Sequence, residues 1–104
     1  MATRTRSHAR RFLEGLRGSP LTFGCMIASI RAADETPQAQ LARRLGISRA
    51  TLCDIEKGRR SVTVKRAAQF ARVLGYSVNQ FVAVAVEDQL RKAGLKLQVR
   101  LEAA

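Results

Sequence analysis

The hydrophobic pattern divides the middle of the chain into five segments in which apolar residues recur at helical spacing. Polar N-capping residues and glycines flank these segments, as they commonly flank helices. The predicted helices are Leu21–Ala33, Pro37–Leu45, Arg49–Lys57, a segment that follows Thr63 and ends at Leu74, and Val78–Lys92. The pattern therefore predicts an all-α fold.

The second and third predicted helices are separated by only a few residues. Thr36 is a suitable N-cap and Pro37 suits a first helical position. Gly46 can adopt the left-handed conformation that ends a helix, Ile47 is apolar enough to fill the angle between two helices, and Ser48 can cap the next one. The sequence thus predicts two short helices joined by a tight turn.

The fifth predicted helix is more apolar than one buried face requires. Its apolar positions are Val78, Phe81, Val82, Val84, Val86 and Leu90. A partner would cover the surplus, and a second copy of the chain is the simplest partner. Alternation within residues 81–86 also fits a strand, but capping from Ser77 favours a helix.

The pattern changes to a period of two after Gly94. Leu95, Leu97, Val99 and Leu101 alternate with Lys96, Gln98 and Arg100, which is typical of a strand. A lone strand beside helices has unpaired backbone groups, so we expect it to pair with a twin subunit or with a different protein. The alternative is a frayed tail.

Three regions follow from these patterns: a basic N-terminal arm at residues 1–19, a helical domain at 20–93 and the C-terminal strand or tail at 94–104. The chain has 104 residues, and 19 Lys and Arg against 8 Asp and Glu give a net charge of +11. Such charge favours a polyanion through neutralisation of phosphates. The arm either follows DNA or is a solvated tail.

Other functional classes have little support. The single histidine, His8, lies in the arm, and no nucleophile has a base at motif-like spacing, so no enzyme is expected. Cys25 and Cys53 are too few and too far apart for a zinc site, and no cofactor or metal is predicted. Cys53 is a small semi-buried side chain or, alternatively, a redox-sensitive one. No run is long enough to cross a membrane, and we expect a cytoplasmic protein.

Three sequence motifs lie in and around the two short predicted helices. They are the Gln-x-x-Leu-Ala run at Gln38–Ala42, the Leu-Gly-Ile-Ser turn at Leu45–Ser48 and the Ile-Glu-x-Gly-Arg run at Ile55–Arg59. Together these motifs resemble the Cro/C1-type (XRE) helix-turn-helix family of phage repressors and bacterial regulators. The resemblance covers about two-thirds of the chain and implies a five-helix DNA-binding domain. Pro37 departs from many members of the family, which place a residue with a backbone donor there.

The resemblance also implies roles for individual residues. Arg49 would pair with guanine O6 and N7, and the methyl group of Ala50 would touch a thymine methyl. Asp54 would accept from cytosine N4 or orient Arg49 through a salt bridge. The residues expected to contact phosphates are Gln38, Arg43, Ser48, Thr51, Arg59 and Arg60. Alternatively, the adjacent Arg43 and Arg44 form an ordinary solvated face.

The implied function is sequence-specific transcriptional regulation, with a homodimer repressing a palindromic operator on bacterial nucleoid DNA. The segment LCDIEKGRR at Leu52–Arg60 looks particularly like antitoxins of HigA type, which repress their own operon and neutralise a partner toxin. The alternative is a non-specific nucleic-acid-binding or nucleoid protein that relies on charge. Sequence preference and salt dependence distinguish these functions.

Overall fold

The computed structural model describes residues 21–101, so the predicted basic arm at residues 1–19 lies outside the described part. Five helices and no strand are present in the described part, which confirms the all-α prediction. Their bounds are α1 Phe23–Ala33, α2 Gln38–Leu45, α3 Arg49–Glu56, α4 Val64–Leu74 and α5 Val78–Lys92. The chain divides into two compact units, one ending at Arg60 and the other beginning at Ser61.

Helix α1 begins two residues later than the sequence pattern predicts. The side chain of Thr22 accepts a hydrogen bond from the Cys25 N–H at 3.0 Å, and this cap fixes the first helical residue at Phe23. The predicted apolar face is confirmed, because its members are buried: Phe23, Met26, Ile27 and Ile30. Helices α1 and α2 both pack against α3.

Gly24 lies where α1 approaches the end of α3. A Cβ atom at this position would overlap the carbonyl oxygen of Ile55 and would lie 2.9 Å from the carbonyl oxygen of Glu56. Only a residue without a side chain allows this approach. The glycine therefore sets how closely α1 and α3 pack.

The predicted start of α2 is wrong by one residue. Pro37, with ψ at 147°, is the N-cap rather than the first helical residue, and no side chain caps the helix. The hydroxyl group of Thr36 donates instead to the carbonyl oxygen of Asp34 at 3.4 Å. The turn after α1 thus uses the hydroxyl group that the prediction assigned to α2.

The second unit is a pair of packed helices, α4 and α5. Thr63 accepts from the Arg66 N–H and Ser77 accepts from the Gln80 N–H, so both predicted caps are confirmed. Residues 81–86 are helical, as the cap at Ser77 indicated. The buried residues of the two helices are Ala67, Phe70, Ala71, Phe81, Val84 and Ala85.

Residues 95–101 form neither a helix nor a strand in this single chain. Three leucines of this segment are exposed: Leu95 at 49%, Leu97 at 58% and Leu101 at 40%. Pairing of this segment as a strand with a second chain stays a prediction. Among the described residues, no helix has the length and apolar character needed to cross a membrane.

Replacement of Gly24 by alanine tests the close approach of α1 and α3. Alanine favours a helix interior by about 1 kcal/mol over glycine, so without the overlap Gly24→Ala would stabilise the protein. We expect it to lower the free energy of unfolding by about 1–3 kcal/mol in urea titrations, because the helices must move apart. The control is Ser29→Ala in the same helix, where the hydroxyl group donates to the Cys25 carbonyl oxygen. A more stable Gly24→Ala variant would contradict the packing described.

Candidate nucleic-acid interface

A tight turn connects α2 and α3. Gly46 ends α2 in the left-handed region with φ at 72°, and the Ile47 N–H donates to the carbonyl oxygen of Ala42 at 3.0 Å. Ser48 then has extended backbone and caps α3, since its side-chain oxygen accepts from the Thr51 N–H at 3.0 Å. The turn predicted from these residue types is confirmed.

The Ser48 hydroxyl group is committed to the protein itself. It donates to the hydroxyl oxygen of Thr51 at 2.8 Å while it accepts from the Thr51 backbone. The Thr51 hydroxyl proton has no partner in the described part of the chain, and Thr51 lies in the first turn of α3. Thr51 is therefore better placed than Ser48 to donate a hydrogen bond to a phosphate, although both were predicted as phosphate contacts.

One face of α3 is turned away from the two helices that hold it. Leu52 and Ile55 are buried on the inner side. Arg49 and Ala50 are exposed at the start of the helix, and Asp54 is partly exposed one turn later. Helical spacing places two further residues on the same outer face, Cys53 and Lys57. The predicted base-contacting residues thus share one face.

The prediction did not include Cys53 and Lys57 among the site residues. Cys53 is half-buried with a free thiol, and Lys57 is exposed. Cys53 follows Ala50 by three residues and Lys57 follows it by seven. The helical spacing that identifies the buried Leu52 and Ile55 could therefore have identified them as well. A cation at the end of the face and a small apolar side chain at its centre add to the chemistry available there.

Asp54 pairs with Arg59 and not with Arg49. The Arg59 guanidinium and the Asp54 carboxylate are 3.5 Å apart, and the backbone N–H groups of Arg59 and Arg60 both donate to the carbonyl oxygen of Asp54. The predicted alternative of a salt bridge that orients Arg49 is therefore wrong in this structure. The carboxylate is 40% exposed and keeps acceptor capacity for another partner.

The C-terminal end of α3 is fixed by a carboxylate that accepts hydrogen bonds from side chains of both preceding helices. Glu56 accepts two hydrogen bonds from the Arg31 guanidinium, at 2.8 and 3.1 Å, and a third from the Gln38 amide at 3.1 Å. Its side chain is only 7% exposed. Arg31 also donates to the carbonyl oxygen of Thr36 at 3.2 Å. This cluster, Arg31, Gln38 and Glu56, connects α1, α2 and α3.

The geometry of the cluster is that of a strong ion pair. Two parallel N–H···O bonds from a guanidinium to a carboxylate combine charge with fixed orientation. The hydrogen bond to Glu56 raises the pKa of Arg31, burial lowers it, and the nearby charge of Glu56 raises it. Arg31 therefore stays charged throughout the ordinary pH range. Arg31 was not predicted to have a role, because no local pattern relates it to a carboxylate 25 residues away.

Gln38, the first residue of α2, can form two different hydrogen bonds through its side-chain amide. One amide proton is used by Glu56, which leaves the other for a ligand. Pro37 has no N–H, so the departure from the family pattern removes one backbone donor. The N–H groups of the first turn are nevertheless not capped by any side chain, and such groups attract phosphate oxygens.

The cations around the turn differ in what they face. Arg43, Arg59 and Arg60 are exposed. Arg44 lies near Asp34, the C-cap of α1: burial raises the pKa of the Asp34 carboxyl, and the charge of Arg44 lowers it. Of the two adjacent arginines on α2, Arg44 is therefore the one whose charge acts on Asp34.

Two short helices joined by a tight turn, with an exposed and cationic start of the second helix, define a helix-turn-helix protein, a class that reads duplex DNA. A family model described as Helix-turn-helix matches residues 27–81, which is more than half of the chain. The chain belongs to the Cro/C1-type (XRE) helix-turn-helix family of DNA-binding transcription regulators. Neither the curated proteins nor the solved structures compared with the chain gave a match.

Removal of the charge at Glu56 tests the cluster. Glu56→Gln keeps the shape of the side chain but leaves the Arg31 guanidinium without its counter-charge. We expect a loss of about 2–3 kcal/mol in the free energy of unfolding, less than for a fully buried pair because Arg31 is 27% exposed. Urea titration measures this loss. Arg31→Met should cost less in the Glu56→Gln background than in the wild type.

Asp54→Asn is the matched control, since it removes a carboxylate from the same helix. The Asp54–Arg59 pair is exposed, and such pairs contribute about 0–1 kcal/mol. Equal losses for Glu56→Gln and Asp54→Asn would contradict a special role of the cluster.

Proposed function

We propose that the protein is a sequence-specific transcriptional repressor that binds a palindromic operator as a homodimer. The observation that carries this proposal is the outer face of α3, where a guanidinium, a methyl group, a thiol, a carboxylate and an ammonium group are available to base edges. Arg49, Ala50 and Asp54 are the predicted readers on this face, and all are at least partly exposed. The rigid attachment of α3 by Glu56 supports readout in one fixed register.

Each predicted reader has a distinct base preference. Arg49 is the first residue of α3 and can donate two hydrogen bonds to guanine O6 and N7. Ala50 offers a methyl group to thymine. Asp54 can accept from cytosine N4 with the acceptor capacity that Arg59 leaves. Contacts near the N-terminus of the second helix are those that enter the major groove most deeply.

The phosphate contacts would fix the protein on the duplex. Gln38 keeps one amide proton, Thr51 keeps its hydroxyl proton, and Arg43 is an exposed cation on α2. Arg59 and Arg60 follow α3 and add charge at its end. Ser48 acts mainly through Thr51, because its own hydroxyl group is used in the cap. Such contacts supply affinity and register but little sequence choice.

A homodimer accounts for the apolar surplus of the second unit. Val82, Val86 and Leu90 occur four residues apart on α5 and are only partly buried, and the leucines after Gly94 are exposed. Paired recognition helices about 34 Å apart would match half-sites separated by one turn of DNA. Binding over a promoter then blocks transcription, and bacterial nucleoid DNA in the cytoplasm is the proposed target.

An autoregulating antitoxin is a narrower form of this function. The exposed leucines after Gly94 are the feature that would suit a partner toxin, and co-purification with the product of a neighbouring reading frame would support it. A charge-only nucleoid protein is the competing function. It predicts a steep salt dependence without sequence preference, whereas a repressor prefers its operator by about a thousandfold or more.

Selection of duplexes from a random library at about 150 mM salt tests sequence-specific reading. We expect a palindromic consensus for the wild type, and we expect Arg49→Ala to lose preference at one base pair of each half-site. The cost on the cognate duplex should be about 1–3 kcal/mol per contact, because a bidentate pair to guanine is lost.

Arg43→Ala is the matched control, since it also removes one exposed arginine of the same unit. It should weaken all duplexes about equally and reduce the salt slope by about one. A wild type that selects no consensus would refute the repressor and favour the charge-only protein. An unchanged consensus for Arg49→Ala would remove Arg49 from the readers.

Deletion of residues 95–104 tests the contribution of the C-terminal segment to dimerisation. We expect a monomer or a much weaker dimer by sedimentation, with an unchanged helical circular dichroism spectrum, because the five helices end before Gly94. Deletion of Ala103 and Ala104 alone is the control and should leave the dimer intact. A fully dimeric long deletion would make the segment irrelevant to assembly.

A further inference from the structure

The chain folds back onto Asp54 directly after α3. The Gly58 N–H donates to the carbonyl oxygen of Ile55 at 3.1 Å, and the Arg59 N–H donates to the carbonyl oxygen of Asp54 at 2.8 Å. Gly58, with φ at 77°, has the left-handed conformation that this pair of hydrogen bonds requires. These features define a Schellman motif, in which backbone hydrogen bonds set the position of Arg59.

The motif places the side chains of Asp54 and Arg59 beside each other. In a Schellman motif the residue after the left-handed one commonly packs against the third-last residue of the helix, and that contact is usually apolar. Asp54 is the third-last residue of α3, and here the two residues carry opposite charges. Atom Nη1 of Arg59 lies 3.5 Å from Oδ1 of Asp54. The fold of the backbone therefore brings this ion pair together.

Stability does not account for the pair. The side chain of Arg59 is 64% exposed and that of Asp54 is 40% exposed, and exposed ion pairs contribute little to the free energy of unfolding. Arg60 is also exposed, and its N–H donates to the same Asp54 carbonyl oxygen at 3.2 Å. The ion pairs within residues 21–101 do not include the Arg60 side chain. Of these two adjacent arginines, Arg59 is thus the one bound to a carboxylate of the outer face of α3.

The Asp54 carboxylate is an unfavourable group to bring into a DNA groove. A duplex carries about one negative charge per 1.7 Å of its axis, so phosphates on both sides of a groove repel a carboxylate that enters it. A hydrogen bond from cytosine N4 would have to overcome this repulsion. The guanidinium at Oδ1 offsets the negative charge and leaves Oδ2 able to accept a hydrogen bond from a base.

We propose that Arg59 is a positioning residue for base reading, because it neutralises the Asp54 carboxylate and holds it where it can accept a hydrogen bond from cytosine N4. This inference rests on the proposed function and specifies how one of its readers acts. Arg59 then contributes to sequence preference, in addition to the general attraction of phosphates that it shares with Arg60. The preference for cytosine belongs to the Asp54–Arg59 pair and not to Asp54 alone.

A separate cation for Asp54 also leaves Arg49 independent. Arg49 precedes Asp54 by five residues, and within residues 21–101 the ion pair of Asp54 is with Arg59. The guanidinium of Arg49 can therefore use its paired donors for guanine O6 and N7. Removal of Arg59 should consequently affect the base pair read by Asp54 and spare the one read by Arg49.

Relative affinity on a panel of duplexes tests the proposal. The panel is built on the duplex that the wild type selects, with each of the four base pairs at the position where Asp54→Ala loses preference. The wild type should bind the cytosine duplex about 5- to 150-fold more tightly than the others. Arg59→Ala should discriminate by less than about 3-fold there, because its carboxylate is no longer neutralised, and should keep its preference at the Arg49 position.

Arg60→Ala is the matched control, since it removes the neighbouring exposed arginine of the same turn. It should weaken binding to all four duplexes by a similar factor and keep the full preference for cytosine. Fluorescence anisotropy of labelled duplexes at about 150 mM salt measures these affinities, at a salt concentration that keeps phosphate contacts comparable between variants.

Removal of the carboxylate should have effects of opposite sign in two backgrounds. In the wild type, Asp54→Ala should weaken binding to the cytosine duplex, because a hydrogen bond is lost. In Arg59→Ala, the same substitution should strengthen binding by about 5-fold or more, because it removes an unpaired carboxylate from a surface that faces phosphates. If Arg59 only added positive charge, Asp54→Ala would have the same effect in both backgrounds.

The outcomes separate this inference from the proposed function. Full preference for cytosine in Arg59→Ala overturns the positioning role, and so does equal loss of that preference in Arg59→Ala and Arg60→Ala. An Asp54→Ala variant with unchanged base preferences also overturns it, while a consensus at the Arg49 position would leave the repressor supported. A wild type that selects no consensus refutes the repressor and this inference together. Selective loss in Arg59→Ala, with the reversal of sign, supports positioning by Arg59.

Discussion

The arrangement of the DNA-binding unit depends on the hydrogen bonds that the Glu56 carboxylate accepts from Arg31 and Gln38. The carboxylate is almost fully buried and receives a guanidinium from α1 and an amide from α2. A buried carboxylate without these donors would be strongly unfavourable, so the three helices can be close only in an arrangement that keeps both donors in place. Apolar burial brings α1, α2 and α3 together, and Glu56 selects one orientation among those that burial would allow.

The hydrogen bond from Gln38 to the same carboxylate connects the packing of the helices with the proposed phosphate contact. Gln38 begins α2, where phosphate contacts are proposed, and its amide also reaches the last turn of α3. A phosphate bound at the start of α2 would therefore be held at a fixed distance from the outer face of α3. One side chain with two hydrogen-bonding directions would then set both the register on the duplex and the orientation of the reading helix.

Local signals account for what the sequence could predict. Ser48, Thr63 and Ser77 cap helices through residues three positions later, and Gly46 and Gly75 end helices in the left-handed region, so these boundaries follow from a few neighbouring residues. The start of α2 differs from the prediction because the Thr36 hydroxyl group can either cap the helix or bond within the preceding turn, and it donates to the Asp34 carbonyl oxygen. Spacing alone cannot decide between them.

Long-range contacts account for what the sequence could not predict. Arg31 and Glu56 are 25 residues apart, and each looks like an ordinary surface charge within its own helix. The pairing of Asp54 with Arg59 depends on the path of the chain after Gly58. The alternation after Gly94 was visible in the sequence, but the hydrogen bond from the Val99 N–H to the Glu87 carboxylate was not, because it joins a backbone group to a side chain 12 residues earlier.

The one-sided attachment of α3 has a consequence for how such a protein can diversify. Gly24, Leu52, Ile55 and Glu56 hold the helix entirely from within, and none of the residues on the opposite face takes part in that support. The proposed operator preference and the thermodynamic stability would therefore be separable properties of the same helix. A small set of outward substitutions could redirect the protein to a new promoter while its folding remained under the control of residues that never meet DNA.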